Sequence, residues 1–322
     1  MERGFDEFYG FLTGANAFAI TKTPGNRAVE SGDTNARIPE TRPNPVYRGR
    51  QIIEEARYLT DAFADEAVSF IDRHHRQPFF LYVPFNAVHT PLHATQKYWD
   101  RFPKIQNPKH RALAAMTSAM DDAIGRIVAK VRQHNLERDT LIVFLSDNGC
   151  PTITGAGTNH PLNGQKVTYY EGGIRIPFIL QWTGTLPAGK TYSHPVVSRD
   201  LLPTFLTAAG LKPSGMDGVD LIPYLTGKQT GAPHDALYWR GGKARAVRMG
   251  KWKLIEFGDN YTKLYDLSTD IGEKNDISTK HPDVVKELRR SWKAWSDTMM
   301  APRWPPRYRE LTVNGQKINW EL

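Results

Sequence analysis

A single cysteine, Cys150, stands in 322 residues, so no disulfide can form within the chain and thiol pairing carries no information on compartment. No apolar run is long enough to cross a bilayer as a helix. The opening MERGFDEFYGF lacks the apolar centre of an export signal. The formal charge of +8 is dispersed, with no Lys/Arg run of the kind that forms a nucleic-acid tail and no RNA- or DNA-binding motif. No internal repeat is present. Nucleic-acid partners and membrane insertion are therefore not expected.

What remains is a chain rich in core-forming residues. Hydrophobic residues make up 40%, with 14 Phe, 13 Tyr and 8 Trp, enough for one large domain or one large and one small. A mildly basic chain suits an anionic substrate, but dispersed charge of this kind reads first as a solvated surface and not as a polyanion track.

The chain is organised around Thr140 to Pro177. Leu141 to Leu145 is a short apolar run rich in branched residues, which predicts a strand buried on both faces of a parallel sheet with helices above and below. Ligands in such sheets bind beyond the carboxyl ends of the strands. Asp147 and Asn148 stand there, a carboxylate beside an amide oxygen, a hard-oxygen pair suited to Ca²⁺ or Mg²⁺. Asp-Asn-Gly also forms ordinary turns, with Gly149 as the residue that lets the backbone bend, so both readings stand at this point.

Around this stretch the pattern predicts alternating elements. The first 19 residues read as a loop, and 21–50, polar and Pro-rich, as a surface excursion. Tyr58 onward predicts a helix capped by Thr60 or Asp61 and ending near His74 and His75, both read as structural. Pro78 to Val83 predicts a strand, with His89 beyond its end as a functional candidate and His93 as a weaker one. Lys109 to His134 predicts a long helix. Asp121 and Asp122 inside it diverge by about 100° and are read as structural. Strand 78–83, helix 109–134 and strand 141–145 would form a right-handed βαβ unit, with strand 176–181 added. A helix from Asp200 ends at Gly210. A short amphipathic piece runs from Val219 to Leu225.

After the Gly/Pro-containing stretch 226–233 the character changes. Short strands at 236–240, 244–249, 252–257 and 263–267 predict an antiparallel meander, followed by a helix from His281 to about Met299 with Pro282 in its first turn and an irregular Pro-rich tail. The expected fold is α/β: a mostly parallel sheet sandwiched by helices over residues 1–229, with a small α+β subdomain over 230–322.

In order and spacing, GFDEFYGF, PFFLYVPFNAVHTP, LIVFLSDNG, NHPLNGQKVTYYEGGIRIPFI, SRDLLPTFLTAAG, RAVRMGKWKLI and LYDLSTDIGEKND together resemble the sulfatase family of the alkaline-phosphatase-like superfamily, over nearly the whole chain. The likeness is greatest to bacterial enzymes acting on sulfated carbohydrates or aryl sulfates. It implies that Asp147 and Asn148 ligate a divalent cation, Ca²⁺ or Mg²⁺ in its place. It implies that Lys166 contacts the sulfate ester oxygens and that His89 binds the sulfate or the leaving-group oxygen. A cation, a lysine and a histidine around an electrophilic sulfur would neutralise charge as the S–O bond breaks. Glu171 and Arg175 are expected to pair and hold the loop.

The departure from the family pattern is equally specific. Sulfatases use a formylglycine made in C-x-P-S-R or C-x-A-x-R, and no such motif is present; Cys150 is followed by Pro-Thr-Ile-Thr. The early Asp-Asp pair and the Arg, Lys and His that accompany the nucleophile are also missing. The expectation is a chain without its own nucleophile, beginning after the family's first third, binding metal weakly and inactive alone, with an exposed sheet edge. Family members are often exported. Two alternatives accompany sulfate ester hydrolysis: a phosphate or phosphonate esterase of the same superfamily, and a non-catalytic binder of sulfated glycans.

Overall fold

The structure, a computed structural model, describes residues 4–29, 37–258, 260–301, 303, 308–313 and 316–321. The chain divides into two compact bodies: one formed by residues up to Thr140 with Thr152–Thr158, the other by Leu141–Pro151 with Asn159 onward. No helix among the described residues is long and apolar enough to cross a membrane.

In the first body, α1 (Leu59–His74) buries Leu59, Ala62, Phe63, Ala67 and Ile71, a stripe at three- and four-residue steps. Its N-cap is Tyr58, without a side-chain cap; Thr60 and Asp61 lie inside the first turn. There the Asp61 carboxylate accepts from the Tyr98 hydroxyl at 2.6 Å instead. The long helix α3 (Pro108–Gln133) does begin with a side-chain cap: Asn107 accepts from the amides of Lys109 and His110. Ala112, Ala115, Ala119 and Ala123 line its buried face, and these small side chains let α1 pack closely. Asp122 forms a two-pronged pair with Arg101, at 2.9 and 2.7 Å, as a structural reading requires.

Three short strands, β1 (Tyr9–Gly10), β3 (Val46–Arg48) and β4 (Gln51–Ile53), form an antiparallel sheet, and β2 (Asn26–Val29) pairs with β5 (Leu92–Thr95). Part of the expected surface excursion is thus tied into sheets. The one-turn helix α2 (Gln96–Trp99) follows β5. Pro78–Val83, expected as a strand, belongs to no ladder. Phe79, Leu81 and Val83 are half-buried while Phe80 and Tyr82 are exposed, so the alternation is present without a strand ladder among the described residues. The expected βαβ unit is not formed by these residues.

In the second body, β6 (Ile142–Leu145) pairs antiparallel with β7 (Phe178–Gln181), Ile142 opposite Gln181 and Leu145 opposite Phe178. All four residues of β6 are half-buried, not buried on both faces as expected. The apolar run marked a strand correctly but carried no information on the direction of its partner. Every ladder among the described residues is antiparallel. Short helix α4 (Glu171–Ile174) precedes β7. Helix α5 (Leu201–Ala208) ends before Gly210, whose φ of 78° is the left-handed conformation favoured after a helix. Helix α6 (Ile222–Leu225) follows.

The meander is as expected: β8 (Ala236–Gly241), β9 (Ala244–Met249), β10 (Trp252–Phe257) and β11 (Tyr261–Asp266) run in the order β11-β10-β9-β8. Helix α7 (Pro282–Asp297) covers one face, with Val285 and Leu288 against Val247, Leu254 and Leu264. The other face packs Ala244, Ala246, Ile255, Tyr261 and Tyr265 around Tyr170. Strand alternation puts Lys253 on this second face beside Ile255. The tail, expected to be irregular, carries a hairpin of β12 (Tyr308–Val313) and β13 (Gln316–Glu321). The fold is thus mixed helix and sheet with an antiparallel C-terminal sheet.

Candidate functional site

Beyond β6 the chain turns at once. The Ser146 amide donates to the Pro177 carbonyl at 3.2 Å, and the Ser146 hydroxyl donates to the Asn148 carbonyl at 2.8 Å. Asp147 is exposed, and among the described residues no hydrogen bond or ion pair engages its carboxylate. Gly149 donates its amide to the Gly173 carbonyl at 3.0 Å. The reason for glycine here is not the bend. Gly149 does not occupy the left-handed region, whereas a Cβ on it would lie 1.7 Å from the Gly172 carbonyl oxygen. Gly172 and Gly173 are crowded in turn, with Cβ positions 2.4 and 2.2 Å from the carbonyl oxygens of Asn163 and Thr168. The two turns approach closely because all three positions lack side chains.

Asn159 clamps the next segment. Its side-chain oxygen accepts from the Cys150 amide at 2.8 Å, and its NH₂ donates to the Cys150 and Gly164 carbonyls at 2.8 and 3.1 Å. The Lys166 amide lies 3.5 Å from the Cys150 carbonyl. Asp147, Asn148 and Lys166 therefore stand on one braced loop. Val167, immediately after Lys166, has φ of 75°, a strained conformation for a β-branched residue and of the sort that collects at functional sites. Burial pushes the Cys150 thiol up, which suits an inert loop residue better than a nucleophile.

Behind the loop sits a buried charge cluster that the sequence did not reveal. Lys253 Nζ lies 2.8 Å from Glu171 Oε1 and 2.8 Å from Glu273 Oε1, all three side chains being almost fully enclosed. The Glu171 amide donates to Glu273 Oε2 at 2.6 Å. Arg175, the partner expected for Glu171, is 3.7 Å away, and Arg248 is 3.6 Å away. Burial opposes ionisation of Glu171, but Lys253, Arg248 and Arg175 outweigh it and hold the carboxyl below its ordinary range. Burial pushes Glu273 up to about 7, with a lesser push from the Glu171 carboxylate and against the pull of Lys253. The one signal available was a lysine at an inward position of Trp252-Lys253-Leu254-Ile255.

His89 belongs to the first body and is exposed. Its Nδ1 lies 2.7 Å from the Thr90 carbonyl, which can only accept, so Nδ1 carries the proton. His93 is buried in the core, and its carbonyl accepts from the Tyr58 hydroxyl at 2.8 Å.

Asp147 and Asn148 offer oxygen donors of the chemistry a hard cation takes. Among the described residues no group of three or more His, Cys, Asp or Glu is placed to hold a metal. Two side chains supply only part of the roughly 6–8 oxygens of a Ca²⁺ shell, so these residues alone do not complete one.

The sulfatase family profile matches residues 1–211, and a profile described as the N-sulphoglucosamine sulphohydrolase C-terminal region matches 164–297. Mouse arylsulfatase J is 25% identical over 95% of this chain and 58% of its own length. N-acetylgalactosamine-6-sulfatase of dog is 33% identical over 66% of the chain and 43% of its own. The chain thus spans about half the length of the curated relatives it matches. Among solved structures, that of Ps i-CgsB in complex with k-i-k-neocarrahexaose superposes with a TM-score of 0.79 at 32% identity, covering 94% of this chain and 69% of that one.

Proposed function

Because the chain belongs to the sulfatase family, we propose that it forms part of an enzyme that hydrolyses sulfate esters, with a sulfated carbohydrate as the substrate class. The observation that carries this reading is the braced loop, which holds Lys166 on the same framework as the unengaged Asp147 carboxylate and Asn148. Lys166 would bind the sulfate ester oxygens by charge. For His89, in the first body, hydrogen bonding to a sulfate or departing oxygen is proposed separately, from the family resemblance alone. Asp147 and Asn148 would contribute oxygen donors to a Ca²⁺ ion, the other donors coming from outside the described residues. Bound there, the cation would supply charge neutralisation for an anionic ester. No formylglycine motif occurs in the sequence, so the nucleophile would be supplied from outside these 322 residues. The choice of a sulfated carbohydrate is supported by relatives named for N-acetylgalactosamine 6-sulfate and by a neighbour crystallised with a neocarrahexaose.

We also propose the helix-sandwiched, mostly parallel sheet as the frame that β6 joins. Its support is that β6 has one ladder partner among the described residues and stays half-buried. The division at 229/230 is proposed with it.

The test is a titration of the chain with a sulfated oligosaccharide, followed by turnover assays on aryl sulfate and aryl phosphate. Saturable binding lost in Lys166→Ala supports the site. A flat titration with wild type removes it. Binding without turnover is the result expected of a chain that carries no formylglycine motif, and turnover of phosphate faster than of sulfate moves the chain to the phosphoesterases.

A further inference from the structure

We infer that Lys253, Glu171 and Glu273 are positioning residues: a buried ionic brace that sets the placement of both the Asp147–Asn148 turn and the Lys166 loop. The inference rests on the site proposed above.

Two branches run from the brace. In the first, Lys253 holds Glu171, and the Glu171 amide is held in turn by Glu273. Glu171 opens the turn whose next residues, Gly172 and Gly173, meet Gly149: one by contact and the other by accepting its amide. Gly149 directly follows Asp147 and Asn148. In the second, the Glu273 carbonyl accepts from the Asn163 side chain at 3.2 Å. The Asn163 carbonyl accepts from Gly172 at 2.6 Å, and its side-chain oxygen from Gly164 at 2.8 Å, two residues before Lys166. One ammonium on a rigid central strand, β10, thus fixes both arms of the loop.

Stability does not explain such a cluster. Enclosing charges costs desolvation energy, and apolar side chains of similar volume commonly serve a core as well or better. Apolar contacts are, however, non-directional, whereas an ammonium shared by two carboxylates defines one arrangement of the backbone that carries them.

The test is residue-resolved amide hydrogen exchange on the free protein. The neutral variant Lys253→Met/Glu171→Gln/Glu273→Gln is expected to keep its unfolding midpoint near that of wild type. Exchange at 147–149 and 163–166 should rise by about tenfold or more. Lys253→Arg, which keeps the charge, is expected to restore most of the protection. Leu254→Ala, on the opposite face of the same strand, should lower the midpoint without singling out those amides. Should the triple variant not fold, Glu273→Gln alone is expected to give a smaller rise with the same distribution. Protection at 147–149 and 163–166 within about twofold of wild type in the folded neutral variants, or loss spread evenly over the sheet, overturns the inference. Exchange needs no ligand, so a failure of sulfated-glycan binding would count against the proposed function and leave this result intact.

Discussion

The Cβ position of Gly149 lies 1.7 Å from the carbonyl oxygen of Gly172. The obstruction is backbone, so no rotamer change can relieve it. Gly149→Ala is expected to destabilise the protein by about 3 kcal/mol, the upper part of the range for overpacking, or to push the two turns apart. Urea unfolding reads the first outcome, and weakened binding of a sulfated oligosaccharide reads the second. A variant indistinguishable from wild type in both would show that the turns are not packed as described.

The Glu273 carboxyl predicts an unusual pH dependence. Lys253, Glu171, Tyr261 and Tyr265 surround it, and its pKa is pushed up to about 7 from the ordinary 4.5. The folded state therefore holds this proton more tightly than the unfolded chain. The stability it contributes is complete below pH 4.5 and is lost as pH rises through about 7. Glu171 acts oppositely: its lowered pKa contributes above 4.5 and is lost as pH falls below. Thermal melts should show a decline from about pH 5 to 7.5, worth on the order of 2 kcal/mol, that Glu273→Gln flattens. An unchanged slope in that variant would assign the decline elsewhere.

Asp147 allows function to be separated from folding. Its carboxylate is exposed and engages no described residue, so Asp147→Ala should leave unfolding in cation-free buffer within about 0.5 kcal/mol of wild type. Any Ca²⁺-induced rise in melting temperature should disappear with it. A Ca²⁺ response that survives the substitution would move the cation site off this turn.

Asp200, in Ser-Arg-Asp-Leu-Leu-Pro, supports structure. Its fully buried carboxylate accepts from the amides of Val197 and Val219 at 2.9 and 3.0 Å and from His234 at 2.9 Å. His234→Ala removes the ring from an enclosed carboxylate and should cost about 3 kcal/mol. Asp200→Asn, which keeps two of the acceptor contacts, should cost less. The ranking, read by urea unfolding, is the test.

The elements legible in the sequence were those whose signal is local. Ala62, Phe63, Ala67 and Ile71 repeat at helical spacing, and α1 forms there. Gly241-Gly242 and Gly250 separate alternating runs, and β8 to β10 form between them. The failures concern partners. Pro78–Val83 alternates like a strand, but a strand exists through its ladder, and hydrophobicity does not name the neighbour. Leu141–Leu145 marked β6 without revealing that β7 returns antiparallel. Of the proposed site, Asp147 and Asn148 stood out as a hard-oxygen pair beyond the β6 run, whereas Lys166 was singled out only by the family resemblance. The pairing of Lys253 with Glu171, 82 positions apart, was not legible. Complementary charge at that separation leaves no periodicity to detect, and the nearer Arg175 was the obvious but lesser partner.

Enclosure of Lys253 has a chemical consequence. Its amine is 0% exposed, so it should resist acylating reagents that label the surface lysines freely. Attack at this one nitrogen requires the Glu171 turn to lift away, and the rate of modification at position 253 then counts those openings. The side chain that braces the turn is in this way also a built-in chronometer of its motion.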